Sequence, residues 1–128
     1  MGNVKKKILV VEDDGALLNV LVDRLETTRT YMVLKAADGE EAVKQIFENR
    51  PHLILLDLLL PKLDGFKVLE KIRAAKEEEI QTCKVVVLSN LWSNKDILKA
   101  QALKIEEYFV KANTNLNEVM AKVKMLLP

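Results

Sequence analysis

Four short apolar runs in this chain each end in residues with chemistry to offer. ILVV (8–11) runs into Glu12, Asp13 and Asp14, LILL (53–56) into Asp57, VVVL (85–88) into Ser89, and YFV (108–110) into Lys111. Asp57 raises the sharpest physical problem, because Leu53 to Leu56 precede it and Leu58 to Leu60 follow it. A lone carboxylate in apolar surroundings costs several kcal/mol or takes up a proton. If Glu12, Asp13 and Asp57 meet, their charges repel and a divalent cation offsets the repulsion. Oxygen ligands with no His or Cys beside them select a hard ion, first of all Mg2+ that keeps some waters. Such an ion and the Lys111 ammonium would together neutralise an incoming phosphoryl group. A carboxylate held there can attack phosphorus to give an acyl phosphate, with the Ser89 hydroxyl donating to the new oxygens.

Taken one at a time, these residues have plainer readings. Asp13 or Asp14 suits a helix cap, Ser89 a turn and Lys111 a solvated surface. What favours a site is the frame that positions them. KKKILVV (5–11) is a short β-branched run that reads as a buried strand. Residues 15–29 carry apolar side chains at 17, 18, 21, 22 and 25, one face of a helix. YMVLKAA (31–37) is a second strand, and 38–50 reads as a helix opened by an Asp38 cap and stopped by Pro51. HLILL (52–56) is a third strand, apolar on both faces. Phe66, Leu69 and Ile72 mark a helix across 63–75, and KEEEIQTCK reads as a polar link. KVVVLS (84–89), NKDILKAQAL (94–103), EYFVK (107–111) and NLNEVMAKVKMLL (115–127) complete the strand–helix alternation.

Five strand–helix units predict an α/β sandwich with a parallel sheet covered on both faces. Right-handed crossovers leave the two common doubly wound strand orders as main candidates. In either, the carboxyl ends of the strands share one edge, and Glu12, Asp13, Asp57, Ser89 and Lys111 all fall on it. His52 lies at the opposite end of its strand and is no candidate catalyst.

The bulk properties narrow the classes. The 128 residues suit one domain spanning 1–128, and 20 basic against 19 acidic residues give a net charge of only +1. That balance argues for neither a nucleic-acid nor a membrane partner. The triplet Lys5, Lys6 and Lys7 reads as a solvated strand entrance. One cysteine, Cys83, excludes an internal disulfide and fits a reducing compartment. No apolar run is long enough to span a bilayer. The stretch after the charges of MGNVKKKILVV is too short for a signal peptide. The expected location is the cytoplasm.

ILVVEDD, DLLLPKLDG, VVVLS and FVK occur in the order and spacing of the receiver domains of bacterial two-component response regulators. The chain resembles that family over nearly its whole length, particularly the stand-alone chemotaxis type. The resemblance implies a (βα)5 sandwich with the flavodoxin-like order 2-1-3-4-5. It implies Asp57 as phosphoacceptor, with a histidine kinase or phosphotransfer protein as donor. Asp13 and Asp57 would be direct Mg2+ ligands, the Leu59 backbone carbonyl a third, and Glu12 would act through water. Ser89 becomes the switching hydroxyl, Lys111 the phosphate-binding lysine and Tyr108 the switch aromatic. The changing surface is that of the fourth helix, fifth strand and fifth helix, with Trp92 in the loop beside it. Pro61 and Gly65 shape the loop after the third strand.

The downstream target is not named by these residues, and the protein is expected to be a monomer or weak dimer. Two positions depart from the family. Asn90 follows the switching hydroxyl where a small residue is usual, and Ala112 follows Lys111 where proline is usual. Leu59 and Leu91, each two residues past a site residue, flank the route of a hydrolytic water by the same resemblance. They offer that water no hydrogen bond, so a long-lived phosphoryl state is expected. Two other readings compete: a receiver-like interaction module that is not phosphorylated, and a hydrolase working through an aspartyl phosphate. Asp57-Leu58-Leu59 lacks a second acid two residues on, which disfavours the hydrolase. A turnover enzyme is not expected.

Overall fold

A computed structural model describes residues 4–128; residues 1–3, on which the signal-peptide reading partly falls, lie outside the described residues. The strands are β1 (Lys6–Val11), β2 (Tyr31–Ala36), β3 (Leu53–Leu56), β4 (Lys84–Ser89) and β5 (Glu107–Val110). Between and after them run α1 (Gly15–Thr27), α2 (Gly39–Asn49), α3 (Gly65–Arg73), α4 (Asn94–Ala102) and α5 (Leu116–Leu126). All pairings are parallel and the sheet order is β2-β1-β3-β4-β5, the flavodoxin-like order.

The strands alternate between two cores. Leu9, Val11, Ile54, Leu56, Val85 and Val87 face a cluster with Ala42, Ile46, Val68, Leu69, Ile72 and Ala100, so α2, α3 and α4 cover one side. Ile8, Val10, Leu53, Leu55, Val86 and Leu88 face Leu18, Leu21, Leu25, Val119 and Val123, so α1 and α5 cover the other. Burial on both faces is why these strands are continuously apolar rather than alternating.

The helix starts are set by side-chain caps. Asp14, Asp38, Asp64, Ser93 and Asn115 each accept amide hydrogen bonds in the first turn of the helix that follows. The caps move several sequence-predicted boundaries inward, most clearly at α3, which starts after Asp64 rather than at 63. Asp14, not Asp13, caps α1, which leaves Asp13 free for the site.

Two expectations need correction. The stretch read as a polar link contains a short helix, Glu78–Gln81, anchored by fully buried Ile80. One buried apolar residue in an acidic run gives too little periodicity to register. Lys111 does not end a strand but opens a 3-10 turn, Lys111–Asn113, and the Lys111–Ala112 bond is trans.

Cys83 is buried between the short helix and β4, and burial pushes its thiol up to about 11. The folded protein therefore holds this proton to higher pH than the unfolded chain. Its contribution to stability is present below the unfolded thiol's range and is lost as pH rises through about 11. At pH 8, iodoacetamide is expected to leave the native protein unlabelled over a period that labels the denatured chain fully. Labelling at equal rates would contradict the burial.

Candidate functional site

β1 and β3 are neighbours in register Val11↔Leu56, so Glu12 and Asp57 leave the sheet side by side. Backbone bonds extend the pairing one residue past each strand, from the Glu12 amide to the Ala36 carbonyl (3.1 Å) and from the Asp57 amide to the Val11 carbonyl (3.0 Å). These bonds fix both carboxylates at the sheet's carboxyl edge. Register Ser89↔Val110 brings Lys111 to the same edge across β4 and β5.

Glu12 is 2% exposed and Asp57 3% exposed, so each carboxylate needs a partner. The Lys111 ammonium stands between them, donating to Glu12 Oε1 at 2.7 Å and to Asp57 Oδ2 at 2.8 Å. Asp57 Oδ1 accepts the Leu59 amide at 3.0 Å, and Glu12 Oε2 the Asp14 amide at 3.1 Å. Among the described residues no buried side-chain nitrogen or oxygen lacks a hydrogen-bond partner. Burial raises the Glu12 carboxyl above its usual range, against the lowering pull of the Lys111 and Asp14 bonds. For Lys111, burial pulls down, but the bonds to Asp57 and Glu12 outweigh it and hold the ammonium above its ordinary value.

Charge in this cluster is still unbalanced. Glu12, Asp13 and Asp57 each offer a carboxylate oxygen, all within 4.8 Å of one another, against one ammonium among the described residues. Oxygens on opposite sides of an octahedral Mg2+ lie roughly 4.2 Å apart, so this span suits a shared hard cation. Asp13 is exposed, which leaves such an ion room for water ligands. The donor set therefore fits the ion that the sequence implied.

Gly65 shapes the wall of the site by close approach, not by a special backbone angle. A Cβ there would come 2.5 Å from Leu58 Cα and 2.6 Å from the Asp57 carbonyl oxygen, and its φ is not positive. The Gly65 amide donates to the Leu58 carbonyl at 2.9 Å, closing the β3–α3 loop under Asp57.

Ser89 and Tyr108 form a second group beside the first. Ser89 is fully buried and its Oγ accepts the Leu91 amide at 3.4 Å. The half-buried Tyr108 donates its hydroxyl to the Leu91 carbonyl at 2.8 Å. Burial, with the charges of Asp96 and Asp57, pushes that phenol up to about 12, so it stays a donor at neutral pH. Both side chains thus grip Leu91, a residue that sequence reasoning gave only a shielding part. Trp92, next along, is 74% exposed. His52 sits at the far edge as expected, accepting the Lys7 amide at 3.0 Å on Nδ1.

The sequence matches the response regulator receiver domain family over residues 8–124. A probable transcriptional regulator, ycf27, of Cyanophora paradoxa is 37% identical over 123 residues, covering 96% of this chain and 48% of its own length. The alkaline phosphatase synthesis transcriptional regulatory protein PhoP of Bacillus subtilis (strain 168) is 36% identical over 124 residues, covering 97% and 49%. The chain spans about half the length of the curated relatives it matches. A two-component response regulator from Clostridium difficile superposes with TM-score 0.84 at 31% identity over 96% of both chains. The non-phosphorylated HemR receiver domain of Leptospira biflexa superposes at 0.85 and 29%, over 95% of this chain and 94% of its own.

Proposed function

The chain belongs to the response regulator receiver domain family, and from that premise we propose that it is a switch thrown by phosphorylation of Asp57. The observation that carries the reading is a buried Asp57 carboxylate held by Lys111, beside Glu12 and Asp13, on the ligand-binding edge of the sheet. In the proposed reaction an Asp57 carboxylate oxygen forms a bond to phosphorus. The bond from phosphorus to the donor breaks, and its electron pair leaves with the donor, an imidazole nitrogen of a histidine kinase or phosphotransfer protein. Asp13, Asp57 and the Leu59 carbonyl would hold Mg2+ directly, with Glu12 acting through water. When bound, the ion supplies positive charge to offset that of the reacting oxygens.

Lys111 does the rest of the neutralisation. Its ammonium already touches Asp57 Oδ2, so it can follow the charge onto the phosphoryl oxygens. Ser89 is the proposed hydroxyl donor to those oxygens. If it turns to them, its bond to the Leu91 amide is given up, and the Tyr108 bond to the Leu91 carbonyl is what carries the change to α4. The output is a population shift in the surface of α4, β5 and α5. No helix of the described residues is long and apolar enough to cross a membrane.

Incubation with Mg2+ and acetyl phosphate, followed by intact-mass measurement, tests this. One phosphoryl adduct is expected, lost when the ion is chelated. No adduct under any condition would favour an inert interaction module, and steady donor consumption would favour a hydrolase. The adduct is also expected to persist, because Leu59 and Leu91 give an attacking water no partner. Replacing Leu59 by Asn is expected to speed its decay about tenfold, a barrier loss of about 1.4 kcal/mol. An unchanged decay rate would remove the shielding role.

A further inference from the structure

Arg73, the last residue of α3, does more than neutralise a helix end. Its Nε donates to the Leu103 carbonyl at 2.8 Å, and one terminal nitrogen to the carbonyls of Gln81 and Cys83, both at 2.8 Å. The other terminal nitrogen donates to the Lys104 carbonyl at 2.9 Å. All three guanidinium nitrogens are thus committed to backbone from two separate segments: the lead-in to β4 and the carboxyl end of α4. Carbonyls at a helix end have no partner within the helix, and charge-assisted bonds to them are the strong kind. Lys104 turns the chain sharply there with φ 62°. The chain that follows is tied to β4 by the Glu106 amide on the Val85 carbonyl at 2.8 Å.

The two ends of α4 are held very differently. In the loop three residues before the amino end, Leu91 is held by the long 3.4 Å bond to Ser89 Oγ and by the Tyr108 hydroxyl, both neutral contacts through the switching side chains. In between, the Lys99 ammonium lies 4.3 Å from the centre of the Phe66 ring on α3, a contact with no fixed hydrogen-bond geometry.

We infer that Arg73 is a positioning residue for the switch. It fixes the carboxyl end of α4 as a pivot, so that a rearrangement at Ser89 and Tyr108 emerges as a swing of the amino end that carries Trp92. This inference rests on the proposed phosphorylation of Asp57. Without the clamp, the same rearrangement would be spent in loosening the whole helix rather than moving one end.

Peptide-level hydrogen exchange on the wild-type chain, with and without acetyl phosphate and Mg2+, tests it. Intact mass on the same samples reports the adduct. Exchange across 91–97 is expected to change at least about threefold, while 81–84 and 101–106 stay as they were. In Arg73→Lys, the adduct is expected to form as in wild type, while the phosphorylation-dependent change in Trp92 fluorescence falls by at least about half. An adduct accompanied by equal exchange changes at both ends of α4 overturns the pivot and leaves the phosphorylation reading intact. An unaltered Trp92 response in a folded, phosphorylated Arg73→Lys protein also overturns it. Failure of the wild type to form any adduct removes both. Should Arg73→Lys not fold, the wild-type exchange pattern alone decides.

Discussion

Asp57→Asn is expected to abolish the phosphoryl adduct completely while leaving stability in Mg2+-free buffer equal to or above that of the wild type. The two halves of this result have the same origin. An Asn side chain has nearly the shape of the Asp it replaces, and its oxygen can still accept the Leu59 amide. It carries no anionic oxygen to attack phosphorus, so the acyl phosphate cannot form. The change also removes one of three mutually repelling carboxylates, and Lys111 keeps Glu12 at 2.7 Å. Thermal or urea unfolding beside the mass measurement checks both halves. Loss of the adduct through unfolding would show as a large drop in stability, and a retained adduct would exclude Asp57 as the acceptor.

Lys111→Met should act in the opposite direction on stability. The substitution keeps an aliphatic chain but removes the only ammonium among the described residues that touches Glu12 and Asp57, which are almost fully buried. Breaking a buried ion pair from one side leaves the remaining charge unpaired, at a cost of about 3 kcal/mol. The expected result is a fall of that size in urea-unfolding free energy in Mg2+-free buffer, with part of it regained on adding Mg2+. Phosphoryl uptake should fall sharply as well, because the group that follows charge onto the phosphoryl oxygens is gone. A variant as stable as the wild type would mean that the cluster is held by something other than Lys111.

What the sequence disclosed and what it hid follow from physical range. β1, β3 and β4 were legible because strands covered on both faces must be apolar throughout. Glu12 and Asp57 were legible as part of a candidate site because each directly follows such a run, with Asp13 next in line and Lys111 just past the half-buried edge strand β5, and parallel strands bring their ends together. Asp14, one residue further, caps the helix instead, a division of labour that residue type alone does not announce. Arg73 was missed because its four carbonyl partners lie 8 to 31 residues away and carbonyls leave no mark in a sequence. The grip of Ser89 and Tyr108 on the Leu91 backbone was missed for the same reason. Gly65 was noticed, but whether it served a turn or a close approach needed Leu58 and Asp57 in place around it.

Locating the phosphoryl group decides whether Asp57 is the acceptor. After treatment with acetyl phosphate and Mg2+, borohydride reduces an aspartyl phosphate to homoserine, which survives digestion and sequencing by mass spectrometry. Homoserine is expected at position 57 and at no other aspartate, including Asp13, Asp14 and Asp64. Homoserine at one of those positions, or phosphate on His52 with Asp57 unmodified, would contradict it.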